Sequence, residues 1–566
     1  MSFQRRRFLL ATAAVPVAGS LLSACTTSDD TPRFDFGVAS GDPLSDRVIL
    51  WTHVTRGSDL TVDVNWEVAT DAAFTNIVRR GVSQSRAERD YTVKVDADGL
   101  LSDRVYFYRF RVEDEVSPIG RTRTLPIATP ERIRFAVVSC SNYPAGYFHV
   151  YRDIAERDDI DAVLHLGDYI YEYDRSGYAS ADAAALGRLS EPDAELVQLN
   201  QYRRRYRQYR SDSDLQAFHA RHPMIAVWDD HEVANDSWRA GAENHDTATQ
   251  GDFFVRRANA IKAWLEWLPV REQPQSDRIF RRFEFGGLVT LHMLDTRNLA
   301  RDEQLDYADF ISADGRFDAA GFQAALTDSS RTLLGLEQLS WLEVGLANST
   351  ARWQVLGQQV LIGRMNVPAP VFLGLASAIL GLPADPANTI SVEGYLALAQ
   401  RAQIAPETLT PTERAILAQP AIPYNLDAWD GYPVERERLF QVARSLDHNL
   451  VVLAGDTHNA WASDLSTLDR SPIGVEFATA SVSSPGLEAL LPQNPALAQQ
   501  AFVALIEPLR AANLGDRGYL ITEFTADQAQ AEWVFVSSVK ERTYRRLEDA
   551  TIRLRTRADT RRIEAS

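Results

Sequence analysis

Four apolar runs in this chain end in side chains that can bind metal ions. IRFAVVSC stops at Ser139-Cys140-Ser141, and DAVLHLGD leads into Gly167-Asp168-Tyr169-Ile170-Tyr171. MIAVWDD opens onto Asp229-Asp230-His231-Glu232, and LVVLAGD onto Gly455-Asp456-Thr457-His458. Between them they offer a thiol, carboxylates, phenols and imidazoles, the groups from which a dinuclear metal site is made. Taken singly, each end has a bland reading. A lone strand-end histidine is usually structural, and a lone buried cysteine usually behaves as a small hydrophobe. Four such ends in one stretch of chain ask for a common explanation.

The runs themselves indicate what positions these groups. Residues 133–140, 161–168, 224–230, 288–295, 353–360 and 450–456 are short and apolar, and helical stretches such as Tyr147 to Arg157 and Ala194 to Phe218 lie between several of them. Buried strands alternating with helices indicate an α/β domain. In such a domain, ligands gather at the carboxyl ends of the strands. Residues 33–127 read differently. FGVASGDPLSDRVILWTHV, VDVNWEVAT, YTVKVDADGL and RVYFYRFRVED alternate apolar and polar positions, with turn residues between them. This period of two predicts an antiparallel β-sandwich with Trp51, Trp66 and Phe107 in its core. Residues 364–425, rich in Ala, Leu and Pro, predict an apolar helical insertion, either a lid over the site or an extension of the scaffold. The Arg-rich stretch 538–566 reads as a helix, solvated or capping an anionic-substrate site. No P-loop, GxSxG elbow or GxGxxG fingerprint is present.

Composition narrows the function classes. The 566 residues are 45% hydrophobic and 24% charged, as in an ordinary globular protein. A net charge of −18 argues against a nucleic-acid-binding footprint. It leaves room for an anionic substrate, since a bound metal supplies local positive charge. Two cysteines cannot build a disulfide framework. Arg5-Arg6-Arg7-Phe8-Leu9 resembles the twin-arginine export motif, and Leu22-Ser23-Ala24-Cys25 resembles a lipobox. Residues 1–24 then read as a signal peptide handled by the twin-arginine machinery, and Cys25 as a lipid anchor to the membrane. Residues 25–32 would be a tether. A monomer in the periplasm or cell envelope is the expectation.

At this point the motifs carry a family resemblance. Gly167-Asp168-x-x-Tyr171 resembles the GDxxY motif of the purple acid phosphatases within the metallophosphoesterases. Asp230-His231-Glu232 is similar to their GNH(D/E) motif with Asp for Asn, and Gly455-Asp456-Thr457-His458 to GHxH with Asp for the first His. SCSNYPAGY, HLGDYIYE, WDDHEVAND, LDTR and AGDTHN together resemble the PhoD-type alkaline phosphatases and the phospholipase D enzymes related to them. The likeness covers nearly the whole mature chain.

The resemblance implies a four-layer α/β/β/α catalytic domain over 128–537, behind the N-terminal sandwich. It implies an exported, metal-dependent phosphatase in which a hydroxide held by metal attacks phosphorus in line. Cys140, Asp168, Tyr171 and His458 would hold Fe³⁺. Asp168, with a catalytic part as well, would bridge to a second site that uses Asp230 and Asp456, with an amide oxygen from Gln358 or Gln359. Thiolate, phenolate and imidazole suit a transition metal. The carboxylate-rich second set favours Ca²⁺, with Mg²⁺, Mn²⁺ or Zn²⁺ as rivals. His231 would be the acid for the leaving alkoxide. Asn142 and Arg297 are either phosphate contacts or, preferably, a turn and a salt bridge. The substrate would be a small phosphate ester or a phospholipid. The rival readings are a phosphodiesterase or phospholipase D-like hydrolase on the same fold, and a surface lipoprotein whose metal cluster is only structural.

Overall fold

The computed structural model describes residues 31–565, apart from 58–60, 275–276, 382, 384, 386–387 and 490–494. The signal peptide, Cys25 and most of the tether therefore lie outside the described residues. Two large sheets carry the fold. In the first, the strands Ile133–Val138, Ala162–His165 and Met224–Ala226 run parallel at the centre. In the second, Val289–Met293, Trp353–Gly357, Leu450–Ala454 and Pro472–Ala478 run parallel. These strands are buried on both faces, which is why they read as continuous apolar runs rather than alternating ones. Phe135 and Val137 from the first sheet share one core with Leu291, Val355, Val451 and Phe477 from the second, so the sheets pack face to face.

Helices cover both outer faces. Tyr202, Tyr206 and Tyr209 of helix Leu199–Arg210 and Trp264 of helix Phe253–Trp267 pack on the first sheet. Leu342 and Leu346 of helix Gly335–Asn348 and Leu439 and Phe440 of helix Pro433–Ser445 pack on the second. The layers are thus α/β/β/α, as the sequence implies. The insertion holds the helices Ala369–Leu380, Val392–Ile404 and Pro411–Leu417, tied off by a short antiparallel pair, Asn366–Pro368 with Ala421–Pro423.

The N-terminal sandwich is present, and the expectation for the C-terminus changes. The N-terminal block forms an antiparallel sheet of Val62–Ala69, Ile77–Ser85 and Val105–Val112, packed on Val38, Val48, Leu50, Val93 and Val95. Those last residues, however, belong to strands that extend the first large sheet, where Gly41 pairs in parallel with Met224. A buried ion pair between Arg281 and Asp42, 2.6 Å long, locks the junction. The division near residue 127 is therefore not a division between sheets. The C-terminal stretch, expected to be helical, is instead the strand Ile552–Arg557, paired antiparallel with Gln528–Val536 and with Glu564–Ala565. Its sequence, Ile-Arg-Leu-Arg-Thr-Arg, alternates with period two, and that alternation outweighs the helix preference of arginine.

Candidate metal centre

Every chemistry-bearing strand end lies just past the carboxyl end of a parallel strand. Cys140 follows Ile133–Val138, Asp168 follows Ala162–His165, Asp229 and Asp230 follow Met224–Ala226, and Asp456 follows Leu450–Ala454. The backbone at these points is unusual. Cys140, Asp168, Asp456 and His458 all have φ between +55° and +66°, a region side-chain-bearing residues seldom adopt. Conformations of this kind persist where the surroundings over-determine them, as at active sites. Two glycines bring the loops together. A Cβ at Gly167 would sit 2.3 Å from Asp229 Cβ, and one at Gly455 would sit 2.7 Å from Ser139 Oγ. Only a residue without a side chain allows these approaches.

The donor atoms converge. One atom each from Cys140, Asp168 and His458 lies within 4.8 Å of the others, and the same holds for Asp168, Asp230 and His231, and for Asp229, Asp230 and Asp456. The Tyr171 hydroxyl joins the first group, donating to Asp168 Oδ2 at 2.9 Å and lying 3.1 Å from His458 Nε2. Asp168 belongs to two of the three groups and is placed to bridge. Asp229 Oδ2 and Asp230 Oδ1 are buried with no hydrogen-bond partner among the described residues. Orphaned buried carboxylate oxygens are costly unless a cation takes them up.

The electrostatics agree. Burial and the neighbouring Asp168 push the Cys140 thiol well up, and burial with Asp168 and Cys140 does the same to Tyr171. Burial is also the main cause that raises Asp168 and Asp456 well above the carboxylate range, reinforced by neighbouring acids. Burial holds the His458 imidazole down near 3, so it stays neutral. Its Nδ1 lies 2.7 Å from the Pro485 carbonyl, which assigns the proton there and leaves Nε2 a free lone pair. A neutral imidazole, a thiol, a phenol and more carboxylates than Arg297 can neutralise form a donor set that bound cations would relieve. The residues therefore fit a metal pair.

Two family models span most of the chain: PhoD-like phosphatase over residues 135–533, and PhoD-like phosphatase, N-terminal domain, over residues 20–126. The chain belongs to the PhoD-like phosphatase family. It is 35% identical over 471 residues to alkaline phosphatase D of Bacillus subtilis (strain 168), a match covering 80% of this chain and 70% of that one. The solved structure of PhoD matches with a TM-score of 0.75 at 31% identity, over 96% of this chain and 93% of that chain. As a member of the PhoD-like phosphatases, the protein is a phosphoric ester hydrolase.

Within this PhoD-like centre, His231 has a partner the sequence reading missed. His231 Nδ1 lies 2.7 Å from Glu172 Oε2, and Glu172 also accepts from Asn235 N and Asn244 Nδ2. Burial alone would lower the His231 pKa. The carboxylates of Asp230, Glu172 and Asp168 outweigh it and hold the imidazole well above its ordinary value. Glu172 sits beside Tyr171 in HLGDYIYE, so its signal was within the motif. Glu232 has a different role. Its carboxylate accepts the backbone N–H groups of Asp168, Tyr169, Ile170 and Asp229, holding two ligand loops together. Ser484 was also missed, since it lies in no motif. It donates to Tyr171 Oη at 2.7 Å and to the Cys140 carbonyl at 3.0 Å.

The remaining candidates hold the loops around the donor groups. Gln359 Oε1 accepts from Thr296, and Gln359 Nε2 donates to the Trp228 and Leu294 carbonyls. Gln358 Oε1 accepts from Trp429 Nε1 at 3.0 Å. Both amide oxygens thus hold loops, Gln359 Oε1 with two donors and Gln358 Oε1 with one. Arg297 is fully buried. It is an ionic hub, paired with Asp229, with Asp427 at 2.6 Å and with Asp456 at 2.6 Å. The salt-bridge reading of Arg297 is the one the geometry supports. Asn142 Nδ2 donates to the Tyr178 carbonyl at 3.2 Å, a loop-holding contact.

Proposed function

We propose that Cys140, Asp168, Tyr171 and His458 hold Fe³⁺, and that Asp168, Asp230 and Asp456 hold a Ca²⁺ beside it, with Asp229 as a further oxygen donor. The observation that carries this reading is the convergence of thiol, imidazole and carboxylates at the left-handed positions Cys140, His458, Asp168 and Asp456, with the Tyr171 phenol hydrogen-bonded to Asp168 beside them. Two anionic soft or polarisable donors favour a trivalent transition metal, and a set made only of carboxylate oxygens favours a hard divalent cation. Bound there, the ions would polarise phosphoryl oxygens and bring the pKa of a water from about 15.7 toward about 7.

The chain's own residues then do the rest. Asp168 and Asp230, fixed by Glu232 and by the Asp236 backbone N–H at 2.6 Å, set where the ester's phosphorus sits. His231 retains 6% exposure and faces the same group of carboxylates. With Nδ1–H committed to Glu172, its Nε2–H is the proton available to the departing alkoxide. Proton delivery of this kind contributes on the order of 10²–10⁴ in rate. The twin-arginine and lipobox resemblances support export through the twin-arginine machinery and an envelope enzyme anchored at Cys25.

The test is elemental analysis of natively exported protein with turnover of p-nitrophenyl phosphate and bis-p-nitrophenyl phosphate. Iron and calcium near one each per chain, with ester turnover, are expected. Tight metal without turnover of either ester at any pH would make the cluster structural and overturn the reading.

A further inference from the structure

A cavity of about 620 Å³ lies beside this centre, and the insertion forms one of its walls. Phe372 and Leu375 of helix Ala369–Leu380 form one wall, facing Tyr307, Leu426, Tyr424 and Phe502. Its floor is tied to the ligand loops from two sides. Asp236, on the floor, donates its backbone N–H to Asp230 Oδ2 at 2.6 Å. Asp427, also on the floor, is joined through Arg297 to Asp456. On the other side, Tyr424 and Phe502 pack on Trp461, whose Nε1 donates to Thr457 Oγ1 at 2.9 Å, between Asp456 and His458. The cavity therefore adjoins the ligand loops, with its lining residue Asp236 in direct hydrogen-bond contact with Asp230. Its volume falls in the range of pockets that enclose a small organic ligand.

We propose that this cavity is the subsite for an aliphatic chain esterified to the phosphate, and that Phe372 and Leu375 determine that specificity. This rests on the phosphate-ester reading above. The walls are aliphatic and aromatic, and the floor acid Asp427 is already neutralised by Arg297 and Arg301. Three further acids of the lining, Glu243, Glu303 and Asp306, are exposed at the rim. An uncharged chain gains from such walls, about three- to fourfold in binding for each methylene taken out of water. The insertion thus acts as a specificity wall, which decides between its two sequence readings in favour of a part in the site.

The experiment measures kcat/KM for the p-nitrophenyl diesters of methyl, butyl and hexyl phosphate, with p-nitrophenyl phosphorylcholine and its uncharged 3,3-dimethylbutyl isostere. In the parent protein, kcat/KM should rise at least about tenfold from methyl to hexyl, and the uncharged isostere should be preferred over the choline ester. Phe372→Ser and Leu375→Ser should each flatten the hexyl-to-methyl ratio toward one, mainly through KM. No gradient in the parent, a gradient unchanged in both variants, or preference for the choline ester would overturn the subsite. Absence of p-nitrophenol from every ester, with metals bound, would instead overturn the hydrolase reading beneath it.

Discussion

Glu172 Oε2 lies 2.7 Å from His231 Nδ1, and both side chains are buried beside Asp230. The pair fixes the tautomer of His231 and adds a negative charge that holds its proton. Replacing the carboxylate by an amide keeps the shape and removes the charge. Glu172→Gln should lower kcat by about 10- to 100-fold, a part of what proton transfer contributes. It should also move the alkaline limb of the pH–rate profile to lower pH, because His231 then loses its proton more easily. Metal content should be unchanged. An unaltered pH profile would assign Glu172 to loop structure alone.

Cys140 and Tyr171 test the iron assignment separately. Cys140→Ala should remove both iron and activity, since thiolate is the softest donor in the cluster. Tyr171→Phe keeps the ring that stacks on His231, with centroids 4.2 Å apart, and deletes only the oxygen. It should leave iron partly bound and bleach the visible band that a phenolate–iron pair gives. A visible spectrum identical to that of the parent would remove Tyr171 from the ligand set.

The ligand loops were legible in the sequence because each is a short local string at the end of an apolar run. The groups that hold those loops were not. Ser484 reaches Tyr171 from 313 residues downstream and Pro485 reaches His458 from 27, both in a segment with no motif of its own. Gln358 and Gln359 read as ligands because they end a strand beside the others, yet both amide oxygens accept hydrogen bonds from neighbouring loops. The arginine-rich composition of the C-terminal strand masks the period-two alternation of Ile552–Arg557 that makes it a strand. The joined sheet was missed because pairing between Gly41 and Met224 leaves no local trace.

Gly167 carries a backbone argument that can be isolated. Its φ is +107°, and a Cβ there would meet Asp229 Cβ at 2.3 Å and Asp229 N at 2.6 Å. Gly187 also has positive φ, at +71°, but a Cβ there meets nothing within 4 Å. Gly187→Ala should therefore cost only the conformational strain, about 1 kcal/mol. Gly167→Ala adds a clash between two ligand loops. It should lower Tm by several degrees more than Gly187→Ala and weaken metal retention. Equal Tm losses in the two variants would show that the loops can part without consequence.

Stability should also fall in mild acid, for a reason outside the metal centre. Burial holds His222 down near 4 and His292 near 4, against an ordinary value of 6.5. Each is accommodated as the neutral ring, with His222 Nε2 donating to the Ile154 carbonyl at 3.1 Å. The folded pKa lies below the unfolded one, so between pH 6.5 and about 4 the unfolded chain binds protons that the native state does not. The stability these rings permit is fully present above 6.5 and is lost as pH falls through that window, by about 1.4 kcal/mol per pH unit for each ring. Acid also loosens metal ligands, but that loss is common to parent and variant. His222→Gln keeps a donor for Ile154 and cannot be protonated. Denaturant titrations at pH 7, 6 and 5 should therefore give a shallower decline for His222→Gln than for the parent. Parallel declines would mean that His222 takes up its proton in the folded state and that its burial does not govern the acid limit.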